Sequence, residues 1–264
     1  MKPTILLLII FCFGCASNPY RQSNRVYKQQ VKQFAKTLKQ YPLTDSFTTT
    51  AFTGTTNFSL RKPNFVIIHH TAQNSCEQTL KTFTMQRTQV SAHYVICKDG
   101  TIHHMLNDYL RAWHAGAARW GNDADINSSS IGIELDNNGY ESFSTEQINS
   151  LLQLLTALKK QYNIPQPNFI GHGDIAPGRK TDPNFRFPWK QLADSGFGQW
   201  YDDTTGVSLP GNFNYLQALR IIGYDSRDTT AAISAFKRHW LQDSIPGLDS
   251  ANYKVLMQVM KKYE

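Results

Sequence analysis

The sequence predicts an α/β fold, a central β-sheet flanked by helices, with three short helices at its C-terminal end. Three observations carry that reading. Strand-like and helix-like apolar patterns alternate between Phe65 and Gly171. Two of the strand-like runs, Phe65-Val66-Ile67-Ile68 and Ile131-Gly132-Ile133-Glu134-Leu135, have the near-continuous apolar character of strands buried in a sheet interior. Beyond Asn212 only helical spacing recurs. A chain of 264 residues makes one sizeable domain, alone or with a small companion. It can bury roughly 70–75% of its unfolded surface, so its core needs no disulfide or metal staple.

Taken in order, the chain opens with Met1-Lys2, and Ile5 to Phe13 is an unbroken apolar run of nine residues. A bilayer-spanning helix needs about 20, so this run is the core of a signal peptide. The following Gly14-Cys15 resembles the lipobox of bacterial lipoproteins, with Cys12 where that pattern usually has Leu. Cys15 is therefore expected to carry acyl chains, each buried CH₂ contributing ~0.8 kcal/mol to membrane attachment. Plain cleavage after Ala16 or Ser17 is the alternative, and in both cases the mature chain is exported. Residues 16–62 read as a polar, Thr-rich tether with one helix, in which Val31, Phe34, Ala35 and Leu38 recur at helical spacing.

Phe65 to His70 begins the sheet, and a helix is expected over roughly Cys76 to Thr88. Ala92 to Lys98 and Thr101 to Leu106, joined by Asp99-Gly100, read as a β-hairpin. Ile131 to Leu135 is a buried strand. Ser144-Thr145-Glu146-Gln147 has capping-box form, and Ile148, Leu151, Leu152, Leu155 and Leu158 mark a long helix that ends before Pro165. Asn168 to Gly171 is a last short strand. The segment 199–212, rich in Asp, Thr and Gly, reads as a linker between a catalytic domain at 63–198 and a helical domain at 213–264. In that last segment Leu216, Leu219 and Ile222, then Ile233, Phe236 and Trp240, then Leu256, Met257 and Met260 mark three helices. They form either a small module of their own or a subdomain packed on the main sheet.

Composition excludes several classes. Aromatic residues make up 12% of the chain and charged residues only 18%, which is unlike a disordered protein. The net charge is +7, but the Lys and Arg residues are scattered, so no nucleic-acid partner is expected. Four Cys are too few for a disulfide scaffold. Export nonetheless permits a Cys76–Cys97 disulfide; the competing reading makes Cys97 a buried thiol in the strand run.

Catalytic zinc needs three ligands from His, Asp, Glu or Cys and one open position. His69 ends the first core strand, His172 follows the last one, and Asp182 lies ten residues further on a loop stiffened by Pro177 and Pro183. Strand ends and such loops are where α/β proteins collect functional groups. Spacing alone leaves a structural role for these histidines open.

Five blocks, in this order, resemble the zinc-dependent N-acetylmuramoyl-L-alanine amidases, which share their fold with the peptidoglycan recognition proteins. They are Phe65 to Ala72, Ser91 to Tyr94, Ala112 to Gly116, Ser130 to Leu135, and Gly171-His172 through Asp182-Pro183. The resemblance covers about Asn64 to Leu192 and implies a mixed central sheet flanked by helices. It implies His69, His172 and Asp182 as zinc ligands, Glu134 as the catalytic carboxylate and Lys180 as the catalytic cation. His70 drops out, because neighbours on a strand point to opposite faces. The leader and the C-terminal helices resemble the outer-membrane lipoprotein branch, facing the periplasm, whose last domain is similar to a peptidoglycan-binding three-helix fold.

The implied reaction is hydrolysis of the amide between the lactyl group of N-acetylmuramic acid and L-alanine, in peptidoglycan or muropeptides, by a monomer. Zinc would activate water and polarise the carbonyl. Glu134 would move the proton, and Lys180 would face the growing oxyanion. Trp113 and His114, in a Gly/Ala-flanked loop, are candidates for the substrate wall. His93 is a candidate for that wall or for orienting a ligand, and Arg179 for a stem-peptide carboxylate. His103, His104 and His239 read as ordinary surface or core histidines. Two other classes are compatible with parts of the pattern: a binding module that recognises muropeptides without cutting them, and a glycosidase using Glu134 and Asp136. The glycosidase would have no use for His172 and Asp182. A serine hydrolase lacks its Gly-x-Ser-x-Gly.

Overall fold

A computed structural model describes residues 18–38, 55–243 and 245–264. Leader residues 1–15, with the lipidation candidate Cys15, and part of the 16–62 tether lie outside the described residues. The chain divides into two compact units, 1–56 and 57–264. In the first, α1 (Arg21–Thr37) forms where the Val31–Leu38 spacing placed a helix, and none of its residues is buried. Among the described residues no helix is long and apolar enough to cross a membrane.

The second unit starts with β1 (Phe65–His70), followed by α2 (Cys76–Thr84). The helix stops short of the expected Thr88. Thr88 Oγ1 donates to the carbonyls of Thr82 and Met85 at 2.8 and 2.7 Å, which favours a tight 3₁₀ turn over Gln86–Thr88 instead. Cys76 at the start of α2 is disulfide-bonded to Cys97 just after β2, with 5.3 Å between their Cα atoms. β2 (Tyr94–Ile96) and β3 (Ile102–His104) form the expected hairpin, closed by Gly100 at φ +85°. A short turn of helix, α3 (Ile126–Ser129), leads into β4 (Ser130–Leu135). The long helix α4 (Thr145–Tyr162) starts at Ser144, whose Oγ accepts from the Gln147 N–H. β5 (Phe169–Gly171) runs directly into α5 (His172–Ile175), and α6 (Trp189–Asp194) follows. The C-terminal segment contributes α7 (Tyr215–Ile222), α8 (Thr229–Phe236), a π-turn at Lys237–Leu241 that carries Trp240, and α9 (Ser250–Met260).

The five strands form one mixed sheet in the order β3-β2-β4-β1-β5, parallel except for the antiparallel β2–β3 pair. Alternation along β1 sends Val66 and Ile68 to one face and Ile67 to the other. On the first face they meet Ile131, Ile133 and Leu135 of β4 and Leu151, Leu155 and Leu158 of α4. On the second, Ile67 and Ile170 join Leu219 of α7, Phe236 of α8, Trp240 and Leu256 of α9 in one buried cluster. The C-terminal helices and the sheet thus share a core, and Trp200, from the segment read as a linker, packs against both clusters.

The parallel register aligns the ends of the inner strands. His69 pairs with Glu134, and Ile68 pairs with Gly171, immediately before His172. The carboxyl ends of parallel strands are where open α/β sheets place their ligands.

Candidate metal centre and active site

His69, His172 and Asp182 converge, and all three are buried. His69 Nδ1 lies 2.9 Å from His172 Nδ1 and 3.1 Å from Asp182 Oδ2, and His172 Nδ1 lies 3.0 Å from the same oxygen. One proton can bridge only one of these pairs, whereas a cation satisfies all three atoms at once. The nitrogens' outer partners explain why lone pairs face inward. Ser130 donates its O–H to Ile126 O at 2.5 Å, so Ser130 Oγ accepts from His114 Nε2, 3.2 Å away. His114 Nδ1 is then the acceptor for His69 Nε2–H at 3.0 Å, which leaves His69 Nδ1 unprotonated. His172 Nε2 donates to Ala115 O at 3.1 Å, with the same result for its Nδ1. Burial, and then the nearby His172, push the His69 pKa down to about 4, so the ring is neutral at physiological pH. Two neutral imidazoles and one carboxylate oxygen form a donor set that fits a divalent metal such as zinc.

His70, one residue on, takes no part. Its Nδ1 accepts from the Asn184 N–H at 3.1 Å, as strand alternation requires.

Glu134 stands beside the cluster, its Oε1 3.9 Å from His69 Nδ1. Its Oε2 is buried without a hydrogen-bond partner. Burial, and then the charge of Asp182, push this carboxyl up to about 8 against the opposing field of Lys180. The charge of Lys180 is also felt at His69, where it disfavours the protonated ring. Asp136, the second carboxylate of the glycosidase alternative, has Lys98 and Glu141 as its charged neighbours instead.

The other expected substrate residues fall into two groups. Trp113 is 54% exposed and Arg179 is exposed, so both remain accessible. Arg179 Nη2 donates to Ala115 O at 2.6 Å and Ala117 O at 2.9 Å, so it braces the carbonyl that orients His172. It also borders a cavity of about 600 Å³ between Ala117–Arg119 and Asp225–Asp228. His93 and His114 differ. His93 is fully buried, accepting from Gly132 N–H at 3.1 Å and donating to Leu110 O at 2.9 Å, so it has no surface to offer a substrate wall. Both His114 nitrogens are spent behind His69.

Sequence reasoning missed the supports: Ser130, Gly132 and Asn127. Gly132 carried a usable signal, since a glycine inside a strand marks a close approach. A Cβ there would come within 2.5 Å of the His114 ring. Asn127 Oδ1 accepts from the backbone N–H groups of His114 and Ala115 at 3.1 and 2.9 Å, and nothing in its local pattern marks it.

Several known proteins resemble this chain. The profile of the N-acetylmuramoyl-L-alanine amidase family, Amidase_2, matches residues 59–185. The N-acetylmuramoyl-L-alanine amidase AmiD of Escherichia coli K12 is 31% identical over 230 residues, 75% of this chain and 82% of AmiD. The 1,6-anhydro-N-acetylmuramyl-L-alanine amidase AmpD of Haemophilus influenzae is 37% identical over 108 residues, 40% of this chain and 59% of AmpD. Among solved structures, AmpDh3 of Pseudomonas aeruginosa aligns with a TM-score of 0.71 at 29% identity, covering 83% of this chain and 98% of that one. Escherichia coli AmiD, in complex with the substrate anhydro-N-acetylmuramic acid-L-Ala-D-gamma-Glu-L-Lys, aligns with a TM-score of 0.68 at 27% identity, covering 85% and 96%. The chain belongs to the N-acetylmuramoyl-L-alanine amidase family and is an amide hydrolase of that kind.

Proposed function

We propose that this protein cleaves the amide between the lactyl group of N-acetylmuramic acid and L-alanine in peptidoglycan or muropeptides, with zinc held by His69, His172 and Asp182. The observation that carries the reading is the convergence of three ligand atoms within 3.1 Å of one another, with the Glu134 carboxylate alongside. The substrate named for the AmiD complex supports it. When bound, zinc supplies Lewis-acid polarisation of the carbonyl, a lowered pKa for the attacking water, and positive charge that draws Glu134 toward its ionised form. Glu134 accepts a proton from that water at a carboxylate oxygen and passes it to the departing L-alanine nitrogen. Lys180 faces the charge that grows on the carbonyl oxygen. Arg179, which lines the cavity beside Ala117–Arg119, offers a guanidinium to a stem-peptide carboxylate, and Trp113 offers an exposed face to the sugar or peptide.

The test is mass spectrometry of muropeptides incubated with the protein, with and without a chelator, beside a measurement of bound zinc. Release of intact stem peptide that stops with chelator and returns with zinc is the expected result. Chelator-resistant cleavage would overturn the metal assignment, and cleavage of a sugar–sugar bond would overturn the reaction.

We place the protein on the periplasmic face of the outer membrane as a monomer, through Cys15. The charged Lys2, the nine-residue apolar core and Gly14-Cys15 support export and the lipid anchor. Labelled palmitate should enter the full chain and not its Cys15→Ser variant, and equal labelling of both would sink the anchor.

A further inference from the structure

The C-terminal segment and the sheet share the apolar cluster around Ile67 and Ile170, but polar groups of the segment meet the turn bearing His172. Asp174, two residues beyond His172 in α5, is 3% exposed. Its Oδ2 accepts from the Gly171 N–H at 2.8 Å and from His239 Nδ1 at 2.7 Å, and its Oδ1 accepts from the Tyr224 hydroxyl at 2.8 Å. Trp240 Nε1–H donates in turn to the Tyr224 oxygen at 3.1 Å. A carboxylate inside the core is thus satisfied by one local donor and two donors from the C-terminal segment.

Those two donors have little freedom to leave. The His239 ring is sandwiched between Trp189 and Trp240, with centroids 3.9 and 4.5 Å away and planes 11° and 14° from parallel. It sits on the π-turn, a distortion that often marks functional positions in helices. The glycines flanking His172 are pressed from the same side. A Cβ on Gly171 would lie 3.0 Å from Asp174 Oδ2 and from Trp189 Cζ2, and one on Gly173 would lie 3.0 Å from Arg238 Nη1. Gly173 N–H also donates to Asp182 O at 2.7 Å, so the turn carrying one ligand is tied to the backbone of another.

We propose that His239 and Tyr224 are positioning residues for the metal centre. Acting through Asp174, they hold the Gly171–Ile175 turn so that His172 Nδ1 stays aimed at His69 and Asp182. The C-terminal segment is then a working part of the hydrolase. This inference rests on the zinc reading above. Removing either donor leaves a buried carboxylate short of a partner, and the turn must shift to find another.

The experiment measures zinc affinity by chelator competition, the visible spectrum of the cobalt-substituted protein, and kcat and KM on a soluble muropeptide. His239→Leu should bind zinc about tenfold more weakly, the lower end of what outer partners of metal ligands contribute. Its cobalt spectrum should change, and kcat should fall while KM holds. His239→Asn, whose amide N–H can stand where Nδ1–H stands, should recover most of the affinity. Tyr224→Phe should show the same defects more weakly, and it keeps the test available if His239→Leu does not fold. Val259→Ala, a core change in α9, should lower the melting temperature and leave zinc affinity alone. Wild-type zinc affinity and cobalt spectrum in His239→Leu and Tyr224→Phe would overturn the proposal, as would equal zinc loss in Val259→Ala. Wild-type protein that binds no zinc at all would instead overturn the metal reading itself.

Discussion

The two faces of the sheet are both closed by helices and both deeply buried, yet they are built differently. The face under α4 is packed by apolar side chains: Val66, Ile68, Ile131, Ile133 and Leu135 meet Ile148, Leu151, Leu155 and Leu158, with Phe169, Phe187 and Trp189 in the same cluster. The other face begins the same way at Ile67, then turns polar at the strand ends with His69 and Glu134. Its covering segment also brings buried polar groups, Tyr224 and His239. Apolar packing is non-directional and tolerates small shifts, whereas hydrogen bonds of 2.7 to 3.1 Å fix angles as well as distances. The first face therefore holds the sheet together, and the second carries the proposed ligands with the polar groups proposed to aim them.

The comparison breaks most easily at the ligands. His172→Ala should lose both metal and hydrolysis, because two remaining ligands do not make a zinc site. Lys180→Ala should keep its zinc and lose roughly 10²- to 10³-fold in kcat, the effect of removing one group that faces a developing oxyanion. Metal analysis of the two purified variants beside their turnover rates is the check. Equal zinc loss in both would erase the separation between holding the metal and serving the reaction.

A change on the α4 face should do the reverse. Leu151 is fully buried, and Leu151→Ala should cost about 2–5 kcal/mol of stability through lost transfer energy and a residual cavity. Denaturant unfolding measures that loss, and zinc affinity of the folded fraction should stay at the wild-type value. A zinc defect as large as the one expected for His239→Leu would mean that the two faces are not distinct in function.

The same contrast explains how far the chain could be read without coordinates. The strands and α4 were legible because local pattern and tertiary role coincide there: β1 and β4 are continuous apolar runs, and α4 carries a capping serine and regular leucines. The proposed metal ligands and Glu134 are readable only through the blocks that resemble a known family. Their supports were not. His239 lies 65 residues from Asp174, and no local pattern ties a histidine beside two aromatic rings to a distant carboxylate. His114 reads as a substrate-side residue because it shares a Gly/Ala-flanked loop with Trp113; only the backbone path turns the ring behind His69. The early end of α2 was hidden for a related reason, since a threonine hydroxyl competing for helix carbonyls is a three-dimensional event.

The smallest expected effect is the sharpest comparison, because it removes one oxygen atom on each side. Ser144 Oγ caps α4 by accepting the Gln147 N–H at 3.1 Å and donates to Lys98 O. Ser144→Ala should cost about 1 kcal/mol, the usual loss of a cap, and nothing in zinc binding. Ser130 Oγ also bridges two groups, but one is His114 Nε2, and through that ring the hydrogen-bond chain reaches His69 Nε2 and so leaves His69 Nδ1 unprotonated. Ser130→Ala should cost a similar ~1 kcal/mol and also weaken zinc a few-fold, since His114 then loses the partner that fixes which of its nitrogens is protonated. Matched stability loss with unequal zinc affinity is the expected pair of results. If zinc affinity falls equally in both, the tautomer chain does not aim His69, and general loosening of the fold accounts for the change.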